Sequence, residues 1–290
     1  MRLSAFSGNR INPTGFHRSQ LKFYAVLLPL CAVMFIPVIF IFSQAFKSLG
    51  ELYAFPPTLI VQRPTLDNFR MLFGRGLSSV PMSRYVFNSL LVSLSTVALC
   101  LLFTAAGGYA LSKKRFRAKE TLFKINQIAL MFVSVSVTIP RYLLISKVGM
   151  MDTYYAHILP MLAVPVSLFL MKQFIDQIPD ALIEAARIDG AGDGHILIKL
   201  IVPLIKPAIA TVAILTFQTV WSDTYTSGYY MSDEVMRTLG SFFSAVTNNN
   251  SIAAAGISAA AGLVIFVPNL IIFIIMQSNV MSTMSHSGIK

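Results

Sequence analysis

A carboxylate followed by two alanines, Glu184-Ala185-Ala186, lies in a polar stretch that continues through Asp189-Gly190-Ala191 to Leu200, Val202 and Pro203. None of these side chains pairs a nucleophile with a base, so the chemistry on offer is docking. Ala185 and Ala186 leave part of a helix surface flat, and Glu184 beside them can pair with a basic residue of a partner. Pro179 suits the first turn of a helix, where its missing N–H costs nothing, and Asp180 suits the positive end of the dipole. Gly190 can take the left-handed conformation that ends a helix, and Asp193 is placed to cap a second one. The segment predicts a short helix, a sharp turn and a second helix running towards Pro203 and Pro207.

A second group of residues could hold a polar solute. Trp221, Asp223, Tyr225, Tyr229 and Tyr230 combine aromatic faces with a carboxylate, which suits a saccharide; the competing reading is an interfacial aromatic belt with a solvated acid. Trp221 and Asp223 are the preferred pathway or gate residues. Asn88 either presents its amide to a pathway or caps its helix, and the cap is preferred. Arg141 follows Pro140 near a membrane boundary; it either attracts an acidic sugar or snorkels to the interface, the second being preferred. His157 reads as an interfacial histidine. No chain of Asp, Glu and His crosses the apolar segments, which argues against proton coupling. No metal-ligand cluster stands out, and no Gly-x-x-x-x-Gly-Lys-Ser/Thr phosphate loop occurs in the sequence.

The elements that must position these residues are apolar. Of the 290 residues 55% are hydrophobic and 12% charged, with a mean hydropathy of +0.69. That pattern of long apolar runs between short polar ones belongs to a polytopic, all-α membrane protein. Six spans are expected, over about 23–46, 85–112, 122–146, 155–174, 207–230 and 252–280. The first is long enough to cross a bilayer, which takes about 20 residues, and reads as an uncleaved anchor behind a basic arm with Arg2, Arg10, Arg18 and Lys22. The net charge of +11 does not call for nucleic acid, because most of the basic residues sit between apolar runs. With both termini inside, 15 Lys and Arg fall on the cytoplasmic side and 8 on the other, so the positive-inside rule favours an N-in, C-in orientation.

The organisation expected is one six-helix membrane domain over 23–281. It has a cytoplasmic arm (1–22), a cytoplasmic loop (176–207) and a short cytoplasmic tail (282–290). Pro56-Pro57 and Pro64 mark an irregular outer loop, in which Asp67-Asn68-Phe69 can cap a short helix. Cys31 and Cys100 lie in apolar runs and read as packing residues. The small residues from Ile252 to Gly262 suit close helix packing, with a second subunit as the favoured neighbour, and Asn248-Asn249-Asn250 is a polar loop.

On these residues the chain resembles the ABC-type import permeases. Glu184-Ala185-Ala186, Gly190 and Leu200-Ile201-Val202-Pro203 are similar to that family's EAA motif at its spacing, with Leu200 and Val202 where Ile and Leu are more usual. Asn88-Ser89-Leu90, Ile139-Pro140-Arg141-Tyr142-Leu143, Val148-Gly149-Met150-Met151-Asp152-Thr153-Tyr154-Tyr155, Trp221-Ser222-Asp223 and Ser287-Gly288-Ile289-Lys290 resemble the carbohydrate, maltose-type branch. Val148 stands where Leu is more usual. The likeness is greatest to the shorter, second permease of a pair.

The resemblance implies the type I importer permease fold in a bacterial cytoplasmic (inner) membrane, multi-pass and in contact with lipid. It implies a second permease subunit, two cytoplasmic ATPase subunits and an extracytoplasmic solute-binding protein. ATP and Mg would be bound by the partner ATPase, with no cofactor in this chain. Glu184, Ala185, Ala186, Asp189, Gly190, Ala191, Leu200, Val202 and Pro203 would form the coupling segment seated on the ATPase. The cargo expected is an oligosaccharide or modified sugar. The competing classes are a stand-alone secondary transporter, which would need intramembrane charges or an internal repeat, and a membrane-embedded enzyme.

Overall fold

The computed structural model describes residues 21–74, 78–132, 134–248 and 252–287; most of the N-terminal arm and the terminal Gly288-Ile289-Lys290 lie outside them, as do Asn249 and Asn250. The described residues are helical, with no strand among them. In chain order the elements are α1 (Leu21–Phe46), α2 (Leu49–Leu52), α3 (Asp67–Phe73), α4 (Met82–Lys113), α5 (Lys119–Ala129), α6 (Thr138–Lys147), α7 (Tyr154–Leu162) and α8 (Pro165–Asp176). They continue as α9 (Asp180–Ile188), α10 (Asp193–His195), a π-helical turn over Ile196–Ile201, α11 (Val202–Leu204), α12 (Lys206–Trp221), α13 (Tyr225–Tyr230), α14 (Leu239–Thr247) and α15 (Ile252–Ser287).

Among the described residues three stretches are helical, long and apolar enough to cross a membrane alone: Leu21–Phe46, Met82–Lys113 and Ala254–Gln277. Two bent pairs also qualify, α7 with α8 at 47° and Asp193–Leu204 with α12 at 84°. The expected span over 122–146 is not one helix, since α5 ends at Ala129 and α6 begins at Thr138. A 3₁₀ turn over Ser134–Val137 lies between them, where valines, which lose side-chain freedom in a helix, alternate with serines, which compete for backbone hydrogen bonds. The bend between α7 and α8 falls at Ala163-Val164, where Val164 has ψ 89. Pro165 follows, and a residue before proline is pushed away from helical geometry. The expected fifth span is also shorter, because α12 stops at Trp221 and the tyrosines form the separate α13.

Two compact units divide the chain, residues 1–70 with 250–263, and 71–249 with 264–290. In the first unit the loop that follows α1 is held by polar side chains. Lys47, only 2% exposed, donates to the Thr58 carbonyl. Glu51 accepts the Gln62 N–H at 2.8 Å. Asn68 does not act as a helix cap: its amide donates to the carbonyls of Ala45 at 2.9 Å and Lys47 at 2.8 Å. Most of α1 is exposed and offers its apolar surface to lipid or to another subunit.

In the second unit α4 is the axis, packed most extensively against α8 and α12. Its buried face runs from Tyr85 through Ser89, Ser93, Thr96 and Cys100 to Gly108 and Tyr109, at helical spacing. The small residues on that face allow close approach. Thr96 and Thr104 return their hydroxyl protons to the carbonyls four residues back, at 2.7 and 2.6 Å, so neither is a buried orphan. Gly108 is the tightest point: a side-chain carbon there would meet Met171 Cβ at 3.1 Å and the Lys172 backbone nitrogen at 3.2 Å. Gly108→Val is therefore expected to push α8 from α4 and to cost about 1–3 kcal/mol. Thermal unfolding of the purified protein in detergent checks this; an unchanged midpoint would refute the close-packing account.

Candidate functional site

The helix–turn–helix expected after the fourth span is present as α9, Gly190 and α10. Pro179 stands one position before α9, and Asp180 occupies its first turn. The C-terminus is closed by two hydrogen bonds, Gly190 N–H to the Arg187 carbonyl at 3.0 Å and Ala191 N–H to the Ala186 carbonyl at 2.9 Å. This is the Schellman arrangement, which requires a left-handed residue after the last helical turn, and Gly190 has φ +82. The spacing of the motif thus has a physical cause. Ala186 accepts, Gly190 turns, and Ala191 donates; both alanines also pack against the neighbouring core.

The helix has two faces. Ile183, 3% exposed, anchors one face in a cluster with Met171, Ile175, Ile178, Ile196 and Ile201. The other face carries Ala181, Glu184, Ala185 and Ile188, all exposed and spaced as one stripe along a helix. Ile188 is 86% exposed. An aliphatic side chain so bare at the end of a small-residue stripe suits burial by a partner. The spacing reading passed over Ile188, although it stands four residues after Glu184.

The second arm is anchored from within. Ile196 and Ile201 are nearly fully buried five residues apart, as the wider π turn requires to keep them on one side. Leu200 packs against the same cluster, Val202 is half-buried and Pro203 is exposed. Asp193 does not cap this arm, because Gly192 holds the cap position. Its carboxylate instead receives Lys114, the Tyr109 hydroxyl at 3.2 Å and, more distantly, Arg187 at 3.7 Å.

The end of α4 thus grips both arms. Lys113, its side chain 7% exposed, meets Asp180 at 2.7 Å and also donates to the Ile178 carbonyl. Ser112 donates to Asp176 at 2.6 Å, and Lys172 reaches the same carboxylate at 2.6 Å. Reading these lysines only as positive-inside charges missed this function. The hydrogen bond from Lys113 holds the Asp180 carboxyl below its ordinary value, and that from Lys114 does the same for Asp193.

The proposed pathway residues are held differently. Asn88 is not a helix cap, since α4 begins at Met82. It is fully buried, donates to the Val235 and Arg237 carbonyls at 2.8 Å each and accepts from Tyr154 at 2.8 Å. Trp221 is 2% exposed and donates to the Ile265 carbonyl at 3.0 Å. Asp223 is buried and accepts the Thr226 N–H at 2.9 Å. Tyr225 differs: it is 60% exposed and stacks on Tyr229 with ring centroids 6.2 Å apart. His157 is buried, bonded to Thr226 at 2.7 Å and to the Met236 carbonyl at 3.1 Å. No group of three or more His, Cys, Asp or Glu that could hold a metal occurs among the described residues.

Residues 85–280 match the family model described as binding-protein-dependent transport system inner membrane component. The galactooligosaccharides transport system permease protein GanQ of Bacillus subtilis is 31% identical over 284 residues, covering 93% of this chain and 96% of that protein. The sulfoquinovosyl glycerol transport system permease protein SmoH of Agrobacterium fabrum is 29% identical, covering 95% of each. A chain in the crystal structure of a bacterial ABC transporter involved in the import of the acidic polysaccharide alginate superposes with a TM-score of 0.77. It is 23% identical, over 92% of this chain and 99% of that one.

Two outcomes follow from this geometry. Gly190→Val should destabilise the turn by about 1–2 kcal/mol, the cost of a left-handed L-residue; faster amide exchange over 180–196 checks it, and unchanged exchange would contradict the Schellman assignment. Both Asp180 and Asp193 have depressed folded-state values. Their stabilisation is present above the unfolded carboxylate value of about 3.9 and fades as pH falls through the lower folded values. Exchange protection of the loop should therefore hold at pH 5 and above, about a unit over that value, and weaken only below it. Protection lost already near neutrality would rule these pairs out as the clamp.

Proposed function

The chain belongs to the binding-protein-dependent transport system inner membrane component family, and from that premise we propose that it is the second, shorter permease of an ATP-driven carbohydrate importer. One observation carries the reading: a Gly-terminated helix gripped by the end of α4 presents Ala181, Glu184, Ala185 and Ile188 outward, all exposed among the described residues. The exposed stripe is the seat for a cytoplasmic ATPase subunit, with Glu184 paired to a basic residue there. Six spans in an N-in, C-in orientation put this helix in the cytoplasm, the third span being α5 and α6 and the fourth α7 and α8.

The importer is completed by a second permease, two ATPase subunits that bind ATP and Mg, and an extracytoplasmic solute-binding protein. No covalent chemistry takes place in this chain. ATP binding draws the ATPase subunits together, and the gripped helix transmits that movement to α4 and α8. The names of GanQ and SmoH support an oligosaccharide or modified sugar as cargo. Along the pathway Tyr225, stacked on Tyr229, supplies an aromatic face, while Asn88, Trp221 and Asp223 position its walls through their internal hydrogen bonds.

The test uses the complete importer in proteoliposomes. Glu184→Lys and Ile188→Asp should abolish ATP-driven uptake and loosen ATPase association while the subunit still inserts. Gly190→Pro should do the same, since proline can neither adopt φ +82 nor donate the N–H bonded to Arg187. Normal uptake in all three would sink the assignment, and uptake without ATPase subunits would favour a secondary transporter.

A further inference from the structure

Two helix breaks meet at a cavity of about 400 Å³ that the coupling mechanism does not use. Its walls include Leu130, at the end of the α5 half, and Pro165, at the start of α8, with Leu215, Thr216 and Thr219 of α12. Asn126 of α5 donates to the Pro165 carbonyl at 3.1 Å, so the two broken segments are joined there. The breaks fall within apolar stretches rather than at their ends. Irregular backbone at membrane depth is tolerated only where it is buried in protein or lines a cavity.

Three features give this cavity a sign. Arg141, partly buried, lies on its wall, and a cation within an apolar segment is costly unless it has a task. Its side chain also interacts with Tyr230, which orients it without neutralising it. The twelve-residue α8 starts at the cavity, so its positive dipole end faces the same space. Ser167 on the wall is 0% exposed, and its hydroxyl has no hydrogen-bond partner among the described residues. Buried hydroxyls are normally satisfied. No carboxylate lines the cavity, and its volume lies in the range of small-molecule sites.

Resting on the reading of this chain as a carbohydrate permease, we propose that the cavity is a transport subsite for the anionic group of an acidic sugar, a carboxylate or sulfonate. Arg141 supplies the charge, Ser167 a hydrogen bond, and the start of α8 its dipole. The apolar walls seat the sugar's carbon face. The subsite acts in transit, so it needs only modest affinity, and it makes this permease a selector of cargo charge. Snorkelling alone would explain Arg141 but would leave Ser167 unsatisfied.

The probe is glucuronate, with glucuronamide as its neutral twin, in equilibrium dialysis against the purified, nucleotide-free permease–ATPase complex. Glucuronate is expected to bind about tenfold more tightly than glucuronamide. Arg141→Gln should remove the preference, and Arg141→Lys should keep part of it. Ser167→Ala should weaken glucuronate alone, which keeps the test valid if Arg141→Gln does not assemble. Equal binding of the two probes, no binding of either, or full displacement by equimolar inorganic phosphate overturns the subsite. Co-purification of the ATPase with the wild-type permease tests the underlying reading separately. If it holds and the charge preference is absent, only the subsite falls.

Discussion

The grip of the α4 terminus on the two arms of the loop between α8 and α12 is the constraint from which the other features follow. The Lys113 side chain is nearly buried, and a buried charge without a partner is costly. It finds the Asp180 carboxylate and the Ile178 carbonyl, which ties the start of α9 to the end of α4. Tyr109 of α4 and Lys114, the residue just past its end, tie down Asp193. An exposed ion pair alone contributes little. Here each pair closes over an apolar contact, so the charges set the direction and Ile183, Ile196 and Ile201 supply the burial.

That division of labour explains what could be read from the residues alone. Gly190 was legible because only a left-handed residue ends a helix in this way, and Ala186 and Ala191 occupy the positions that bond across it. Glu184 and Ala185 were legible as a surface, since they are small or charged in an otherwise apolar chain. Lys113 and Lys114 were not, because the positive-inside rule accounts for any basic residue at that position without asking what it touches. Asp193 was misplaced for a related reason. A short acid before a helix suits a cap, but the nearby ammonium is a stronger partner than the helix N–H groups.

Within the apolar stretches periodicity located the helices better than their continuity. A run such as that from Phe132 to Thr138 is as hydrophobic as its neighbours, so hydropathy cannot separate a straight span from two halves. Local chemistry can: alternating valine and serine, or Val164 before Pro165, weakens the helix where tertiary packing is free to break it. Asn88 shows the opposite error. Near the start of a predicted span an asparagine looks like a cap, but α4 begins two turns earlier, and its amide is used across the fold on Val235 and Arg237.

The N-terminal end of α4 carries a grip of its own, and the two together define what the helix can transmit. Glu234 accepts from Ser79 at 2.7 Å and from Tyr85 at 2.8 Å, Ser89 accepts the Leu239 N–H at 2.8 Å, and Asn88 holds the two carbonyls between them. The 32 residues of α4 reach about 48 Å at 1.5 Å per residue, longer than the hydrocarbon core of about 30 Å. No proline interrupts it after Met82, and prolines are the commonest cause of sharp kinks. By contrast α5–α6 and α7–α8 are broken midway. A helix fastened at both ends moves as a strut, whereas a broken pair yields at its joint. A displacement of α9 would then reach Glu234 and Leu239 through α4 with little loss.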